Sequence, residues 1–220
     1  MNIQIKSHTA VDAKILDGRV ALVTGSTSSI GLGIARALAA AGANVMLNGF
    51  GAAAEIARTK DAIEADHGVK AGCSAADMKS PDVIAKMVAV ALADLGRFDI
   101  RVNNAGIQNV APLDQFPVEK WDQILAINLS SAFHTTRLAL PAMRKQQFGR
   151  IINVASAHGL VAGAYVAAKH GIVGLTKVAA LETAEGGITC KPSAPAMFIP
   201  RWSKLGSMDR PRRMGSPGIR

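Results

Sequence analysis

The chain has 220 residues, of which 49% are hydrophobic and 19% are charged. This length suits one large domain or two small ones, and the apolar content is sufficient for a sizeable core. No apolar run reaches the roughly 18 residues that a membrane-spanning helix needs, and residues 1–16 lack the apolar core of a signal peptide. We therefore expect no membrane partner.

The formal net charge of +9 is concentrated near the C-terminus, where residues 191–220 carry seven Lys or Arg and one Asp. Such a segment can act as a nucleic-acid-binding arm, but its aromatic residues are limited to Phe198 and Trp202, so we expect no nucleic-acid partner. Cys73 and Cys190 stand among apolar residues, which predicts reduced core thiols in a cytoplasmic protein, with a disulfide left open.

Short apolar runs alternate with longer helical patterns along the chain. This alternation predicts an α/β fold with a parallel sheet covered by helices on both faces. Ligands of such sheets bind beyond the carboxyl ends of the strands. The predicted strands are 20–24, 44–48, 70–75, 99–103, 151–154 and a sixth that begins at 188. The predicted helices are 30–41, 52–66, 81–95, 118–145 (one helix or two) and 165–185.

The first polar motif is a glycine-rich turn between the first strand and the first helix. It reads Thr24-Gly25-Ser-Thr-Ser-Ser29-Ile-Gly31-Leu-Gly33. Glycines at this place let the backbone approach a pyrophosphate at a helix N-terminus. A tight turn without a ligand is the alternative, but the strand before and the helix after favour dinucleotide binding.

The next three strand ends also carry polar or small residues. The second strand ends in Asn48-Gly49-Phe50, without the acidic residue that holds a ribose 2′-hydroxyl or the basic residue that holds a 2′-phosphate. The absence of a cation favours NAD over NADP. Asp77, after the third strand, is either an adenine ligand or a turn residue. The fourth strand ends in Asn103-Asn104-Ala105-Gly106, which brings small polar groups to the edge of the sheet.

The candidate catalytic residues are Asn128, Ser156, Tyr165 and Lys169. Tyr165 and Lys169 are four residues apart in an Ala-rich helical segment, so both project from one face. An ammonium beside a phenol favours the phenolate, which provides a proton donor and acceptor. Ser156, just past the fifth strand, can hydrogen-bond the same substrate oxygen. Tyr-x-x-x-Lys also occurs by chance on helix surfaces, and Asn128, among apolar residues, is either structural or part of a polar relay.

Together these motifs resemble those of the short-chain dehydrogenase/reductase family over residues 16–190. The resemblance implies a Rossmann-type doubly wound parallel sheet, NAD as the cofactor, a small-molecule substrate and a homotetramer. The cofactor-binding residues that it implies are Gly25, Thr27, Ser29, Ile30, Gly31, Phe50, Asp77, Asn104, Ala105, Gly106, Tyr165 and Lys169.

Within this family the chain is similar to the group of D-3-hydroxybutyrate dehydrogenases, through residues 47–51, 106–108, 128–134 and 155–160. This similarity implies hydride transfer between C3 of 3-hydroxybutyrate and C4 of the nicotinamide, which gives acetoacetate.

The resemblance also assigns roles to individual residues. Tyr165 would take the hydroxyl proton and Ser156 would steady the developing charge on the substrate oxygen. Lys169 would also bind the nicotinamide ribose, and Asn128 would hold a relay water. Gln108 and His158 would join Ser156 and Tyr165 as substrate-binding residues by holding the carboxylate. For His158, a loop histidine bonded to backbone is the alternative interpretation.

The chain departs from the family pattern at several places. Ser29 replaces the middle glycine of the phosphate turn, where a Cβ crowds the pyrophosphate and strains the backbone. Arg101 places a charge where the family has an apolar residue, and an unpaired buried arginine costs several kcal/mol. The segment between Ser156 and Tyr165 is shorter than in the family and lacks its substrate-binding lysine.

A further departure begins after Cys190. The family continues Asn-x-x-x-Pro-Gly, and a single-base deletion in such a stretch would produce Lys191-Pro-Ser-Ala-Pro-Ala-Met-Phe198. We predict a dinucleotide-binding domain with the catalytic residues over 1–190 and an aberrant, basic, Pro-rich and disordered tail over 191–220. The family's C-terminal lid and last strand would then be missing. Two functional alternatives stay open: another short-chain carbonyl reductase, or a non-catalytic remnant that binds the cofactor.

Overall fold

The computed structural model describes residues 14–156 and 163–194. Within these residues the strands are β1 (Val20–Val23), β2 (Asn44–Asn48), β3 (Ala71–Ser74), β4 (Ile100–Asn103), β5 (Gly149–Val154) and β6 (Ile188–Ser193). The helices are α1 (Ser29–Ala40), α2 (Ala53–His67), α3 (Pro81–Leu95), α4 (Val118–Leu125), α5 (Ser131–Gln146) and α6 (Gly163–Glu182). A 3₁₀ turn (Leu113–Gln115) precedes α4, and a π-helical segment (Ala126–Ser130) joins α4 to α5.

The six strands form one parallel sheet in the order β3-β2-β1-β4-β5-β6. The chain runs outward from β1 through β2 to β3, then crosses to the other side of β1 for β4, β5 and β6. Right-handed crossovers then place α1 and α2 on one face and α3, α5 and α6 on the other. The strand order reverses between β1 and β4, so a crevice opens beyond their carboxyl ends.

Two buried clusters of apolar side chains hold these layers together. One lies under α1 and α2 and includes Ala35, Ala39 and Ile63. The other lies under α3, α5 and α6 and includes Ile84 and Met143. The predicted doubly wound parallel sheet is confirmed.

The element bounds agree with the sequence pattern within a few residues. β2 has the predicted bounds, and Ser80 caps α3 as predicted, because its side chain accepts a hydrogen bond from the backbone N–H of Val83. β5 begins two residues earlier than predicted, at Gly149, and α6 ends earlier, at Glu182. β6 reaches Ser193, three residues into the predicted tail. Residues 195–220 lie outside the described residues, so their disorder and the missing lid and last strand stay predictions.

Arg101 on β4 is completely buried, as predicted. It is in register with Leu22 and Ile151, both in the apolar cluster under α3 and α5. None of its three side-chain nitrogens has a hydrogen-bond partner within the described part of the chain. Burial lowers the pKa of Arg101 to about 9, so the guanidinium is still charged at neutral pH.

Among the described residues, no helix is both long and apolar enough to cross a membrane. Cys73 is half-buried and Cys190 is buried, and both are free thiols. Burial raises the pKa of Cys190 to about 11, so this thiol is protonated at neutral pH.

Candidate active site

The turn between β1 and α1 packs its backbone against the residues that follow β4. Gly25 has φ +62°, and a Cβ at this position would lie 2.9 Å from the Cα of Ala105. A Cβ on Gly31 would overlap the carbonyl oxygen of Gly25. Both positions therefore require glycine. No side chain caps the N-terminus of α1, so its first backbone N–H groups are available to an anionic ligand.

Ser29 is the exception in this turn. Its φ is +51°, in the left-handed region that side chains with a Cβ rarely adopt. The predicted requirement for a glycine-like backbone at this position is therefore confirmed. The side chain is exposed and lines the cleft beyond the turn.

Asn48 fastens the ends of β2 and β3 to the glycine-rich turn. Its Oδ1 accepts a hydrogen bond from the N–H of Gly25 at 3.3 Å. Its Nδ2 donates to the carbonyl oxygens of Ser74 and Ala76 at 3.1 and 3.0 Å. Since Asn48 is only 1% exposed, this side chain is part of the framework of the cleft.

Thr24 and Asn104 join the ends of β1 and β4 in the same way. The Oγ1 of Thr24 accepts hydrogen bonds from the N–H groups of Asn104 and Ala105 at 3.0 and 3.1 Å. The Nδ2 of Asn104 donates to the carbonyl oxygens of Thr24 and Gly25 at 2.9 and 3.0 Å. This mutual bonding sets the width of the crevice at the point where the strand order reverses.

These segments enclose a cleft of about 500 Å³. The predicted cofactor residues that line it are Gly25, Thr27, Ser29, Ile30, Gly31, Phe50, Asp77, Asn104, Ala105 and Gly106. The residues fit a nicotinamide dinucleotide, because the glycine positions leave a backbone cradle that a Cβ would fill and the N-terminus of α1 suits a pyrophosphate.

Asp77 is a turn residue that also lines the cleft. Its Oδ1 accepts a hydrogen bond from the N–H of Lys79 at 2.9 Å, as expected of a turn residue. Its Oδ2 lies 3.3 Å from the Nζ of Lys79. The same side chain lines the cleft, so an adenine contact stays a prediction that this position permits.

Asn128 lies in the π-helical segment between α4 and α5 and is 1% exposed. Its Oδ1 accepts a hydrogen bond from the N–H of Ile107, and its Nδ2 donates to the carbonyl oxygen of Ile107, both at 2.9 Å. The buried amide therefore holds the loop after β4 against the helix. Single π turns inside α-helices frequently occur at functional sites.

Lys169 is buried on α6, and its Nζ donates a hydrogen bond to the carbonyl oxygen of Val154 at 2.6 Å. Val154 ends β5, two residues before Ser156, so this bond ties α6 to the strand end that carries the serine. The Nζ of Lys169 lies 5.6 Å from the ring centroid of Tyr165, which is half-buried. Burial lowers the pKa of Lys169 to about 8.

Of the two predicted ligands of a substrate carboxylate, Gln108 and His158, the structure describes only Gln108. Gln108 is exposed and lines a second cavity of about 400 Å³. This cavity adjoins the cofactor cleft, since both are lined by Phe50, Asp77 and Ile107. His158 lies outside the described residues, so its role stays a prediction.

A row of buried polar side chains behind the cleft went unnoticed in the sequence. The Nδ2 of Asn103 donates to the Oδ1 of Asn153 at 2.6 Å, and the Nδ2 of Asn153 donates to the Oγ1 of Thr176 at 2.8 Å. The Oγ1 of Thr135 donates to the Oδ1 of Asn103 at 2.8 Å. The available signal was an asparagine in an otherwise apolar strand, because a buried amide needs partners.

Residues 19–204 match the family model described as short chain dehydrogenase. The chain belongs to the short-chain dehydrogenase family and is therefore an oxidoreductase. A D-beta-hydroxybutyrate dehydrogenase of Cupriavidus necator is 59% identical over 193 residues, which are 84% of this chain and 72% of the relative. A D-beta-hydroxybutyrate dehydrogenase of Rhizobium meliloti is 54% identical over 188 residues, which are 82% of this chain and 72% of the relative.

Solved structures show the same fold with either form of the coenzyme. A metagenomic short-chain oxidoreductase in complex with NADP has a TM-score of 0.76 and 35% identity over 82% of this chain and 83% of its own. An NAD⁺-bound xylitol dehydrogenase has a TM-score of 0.76 and 31% identity over 82% of this chain and 70% of its own. The predicted family is confirmed, and these two structures leave open which coenzyme this chain uses.

Proposed function

We propose that this chain interconverts D-3-hydroxybutyrate and acetoacetate by NAD-dependent hydride transfer. The observation that carries the proposed chemistry is the placement of Lys169, whose ammonium is tied to the end of β5 and lies 5.6 Å from the ring of Tyr165. The substrate is supported by the similarity to two D-beta-hydroxybutyrate dehydrogenases.

The reaction needs a group that takes the hydroxyl proton as the hydride leaves C3. Bound NAD supplies the hydride acceptor. Tyr165 takes the proton, and the ammonium of Lys169 lies 5.6 Å from the centroid of its ring. Ser156 donates a hydrogen bond to the same substrate oxygen, and Gln108 and His158 hold the carboxylate.

The other proposed residues position the coenzyme. The glycine-rich turn at the N-terminus of α1 would hold the pyrophosphate, and Lys169 would hold the nicotinamide ribose. Asn128 fixes the loop at Ile107 through two hydrogen bonds and holds a relay water. No cation stands in Asn48-Gly49-Phe50 at the end of β2, which favours NAD over NADP. We also place the enzyme in the cytoplasm, since both cysteines are free thiols.

A coupled assay tests this proposal. The full chain is incubated with D-3-hydroxybutyrate and NAD, and NADH formation is followed by absorbance. Replacement Tyr165→Phe removes the proton acceptor, so we expect turnover to fall by about 10²–10⁴-fold. NADH should still bind to this variant in a fluorescence titration, since the glycine-rich turn stays intact.

The outcomes separate the alternatives. Turnover of a different hydroxy acid in place of 3-hydroxybutyrate would identify another short-chain carbonyl reductase. NADH binding without turnover of any substrate would identify a non-catalytic remnant. Full activity of Tyr165→Phe would remove the proposed mechanism.

A further inference from the structure

A small cavity of about 150 Å³ extends the cofactor cleft between the glycine-rich turn and α2. It shares Thr27, Ser28 and Phe50 with the main cleft. The Oγ1 of Thr27 donates to the carbonyl oxygen of Phe50 at 3.0 Å, which holds the turn against the end of β2. In doubly wound sheets, this is where the ribose hydroxyls of a dinucleotide are recognised.

Glu55 is the one charged residue among those that line this cavity within the described chain. It stands in the first turn of α2, seven residues beyond Asn48. Its carboxylate is exposed and forms no ion pair within the described residues. Neither Arg58 nor Lys60 lines the cavity, although both follow on the same helix.

We infer that Glu55 determines coenzyme choice by accepting a hydrogen bond from the adenosine ribose and repelling a 2′-phosphate. A carboxylate accepts hydrogen bonds from hydroxyl groups and rejects a second anion by like-charge repulsion. The inference rests on the proposed function only in that the cleft binds a nicotinamide dinucleotide. It supplies from α2 the acidic group that the end of β2 lacks.

The position of Glu55 explains why the strand end alone does not reveal it. A search for a specificity residue directly after β2 meets Gly49, Phe50 and Gly51. The chain then turns into α2, whose first turn returns a side chain to the cavity beside Phe50 and Gly51. Glu55 therefore lies beside the end of β2 in space although it is several residues away in sequence.

Fluorescence titration of the full chain with NADH and with NADPH tests the inference without any turnover. The variants are Glu55→Gln and the control Asp61→Asn, which removes one negative charge from an exposed position of the same helix. We expect Glu55→Gln to lower the ratio of the NADPH to the NADH dissociation constant by about tenfold, as a charge repulsion near the protein surface would. Asp61→Asn should change this ratio by less than about twofold. Since both side chains are exposed, circular dichroism should show folded variants.

Two results would overturn the inference, and only one of them would also contradict the proposed function. If all three proteins bind NADH and share one NADPH/NADH ratio, Glu55 is not the determinant, while the proposed function stands. If the wild-type chain binds neither coenzyme, the proposed function fails together with the role of Glu55.

Discussion

Ser29 is a side chain at a backbone position that favours glycine, and it lines the cofactor cleft. A left-handed conformation costs a residue with a Cβ roughly 1–2 kcal/mol, part of which glycine loses again through the entropy of the unfolded chain. We expect Ser29→Gly to raise the free energy of unfolding by about 0.5–1 kcal/mol, measured by urea denaturation. NADH should also bind more tightly, because the Cβ no longer crowds the pyrophosphate.

Gln147 provides a matched control for this prediction. It has φ +50° at the C-terminus of α5 and is not among the residues that line the cleft. Gln147→Gly should stabilise the fold by a similar amount and leave NADH affinity unchanged. Equal effects of the two variants on NADH affinity would show that the turn gains nothing specific from glycine.

The burial of Lys169 on α6 also has a measurable consequence. Its pKa falls from 10.5 to about 8 on burial, so between about pH 8 and pH 10.5 the folded protein binds fewer protons than the unfolded chain. The penalty for burying the ammonium is therefore full below pH 8 and is relieved as the pH rises. We compare the free energies of unfolding of wild type and Lys169→Met. As the pH rises from about 8 to about 10.5, we expect this difference to shift in favour of wild type by about 3 kcal/mol.

Urea denaturation at several pH values measures this difference. Lys177→Met is the control, because Lys177 is exposed on the same helix. Wild type relative to Lys177→Met should show no such rise. A flat difference for Lys169→Met would mean that the lysine keeps its ordinary affinity for protons in the fold.

At the scale of single elements, β4 carries a buried charged residue in its centre. Arg101 is charged and without a hydrogen-bond partner among the described residues, in a strand whose neighbours bury Leu22 and Ile151. Methionine is long, unbranched and adaptable, so it can fill the same space. We expect Arg101→Met to raise the free energy of unfolding by about 1–4 kcal/mol.

The midpoint of urea unfolding measures this gain. Arg36→Met, on the exposed face of α1, removes the same charge without altering the core and should change stability by less than about 0.5 kcal/mol. An unchanged or lower midpoint for Arg101→Met would contradict the absence of a partner for the guanidinium.

The elements show which features the sequence can predict. β2 and the start of α3 agree with prediction, because apolar periodicity and the Ser80-Pro81 pair are local signals. The burial of Arg101 was predictable too, since the family has an apolar residue at this position and a parallel sheet is covered on both faces. The π turn around Asn128 was not, because a single wider turn displaces the apolar pattern by only one residue, and the break between two helices over 118–145 has the same effect on the pattern.

The candidate site was also predictable only where its residues are marked by local sequence signals. Its glycines and asparagines follow strands, and a parallel sheet brings all strand ends to one edge. The bonding roles of Thr24 and Asn48 were not predicted, because their hydrogen bonds connect segments far apart in sequence. The position of Glu55 was not predicted either, because α2 returns its side chain to the small cavity that extends the cleft.

At the scale of the whole molecule, the carboxyl and amino ends of the parallel strands form two edges of the sheet with different roles. The carboxyl edge carries the cleft, whereas the amino edge carries a cluster of charges around Asp99. This buried carboxylate accepts hydrogen bonds from Arg19, Arg97 and the N–H of Val20 at 2.6–2.9 Å. The carbonyl oxygen of Asp99 also accepts from the N–H of Arg150, so the residue joins β1, β4 and β5 below the site.

The charge cluster predicts how the fold responds to acid. Burial alone would raise the pKa of Asp99, but the hydrogen bonds from Arg97, Val20 and Arg19 outweigh it and hold this pKa below its ordinary value of 3.8. Stability from Asp99 is therefore fully present above about pH 4 and is lost as the pH falls through the lower pKa of the folded state. We expect Asp99→Asn to lower the free energy of unfolding by about 2 kcal/mol at pH 7, and this difference from wild type should narrow below about pH 4.

The control is Asp94→Asn, at an exposed position of α3, which should show no such gap in the free energy of unfolding. Urea unfolding from pH 7 to pH 3 measures both, and a gap that stays constant down to pH 3 would mean that the Asp99 carboxylate does not link the amino edge of the sheet to acid stability.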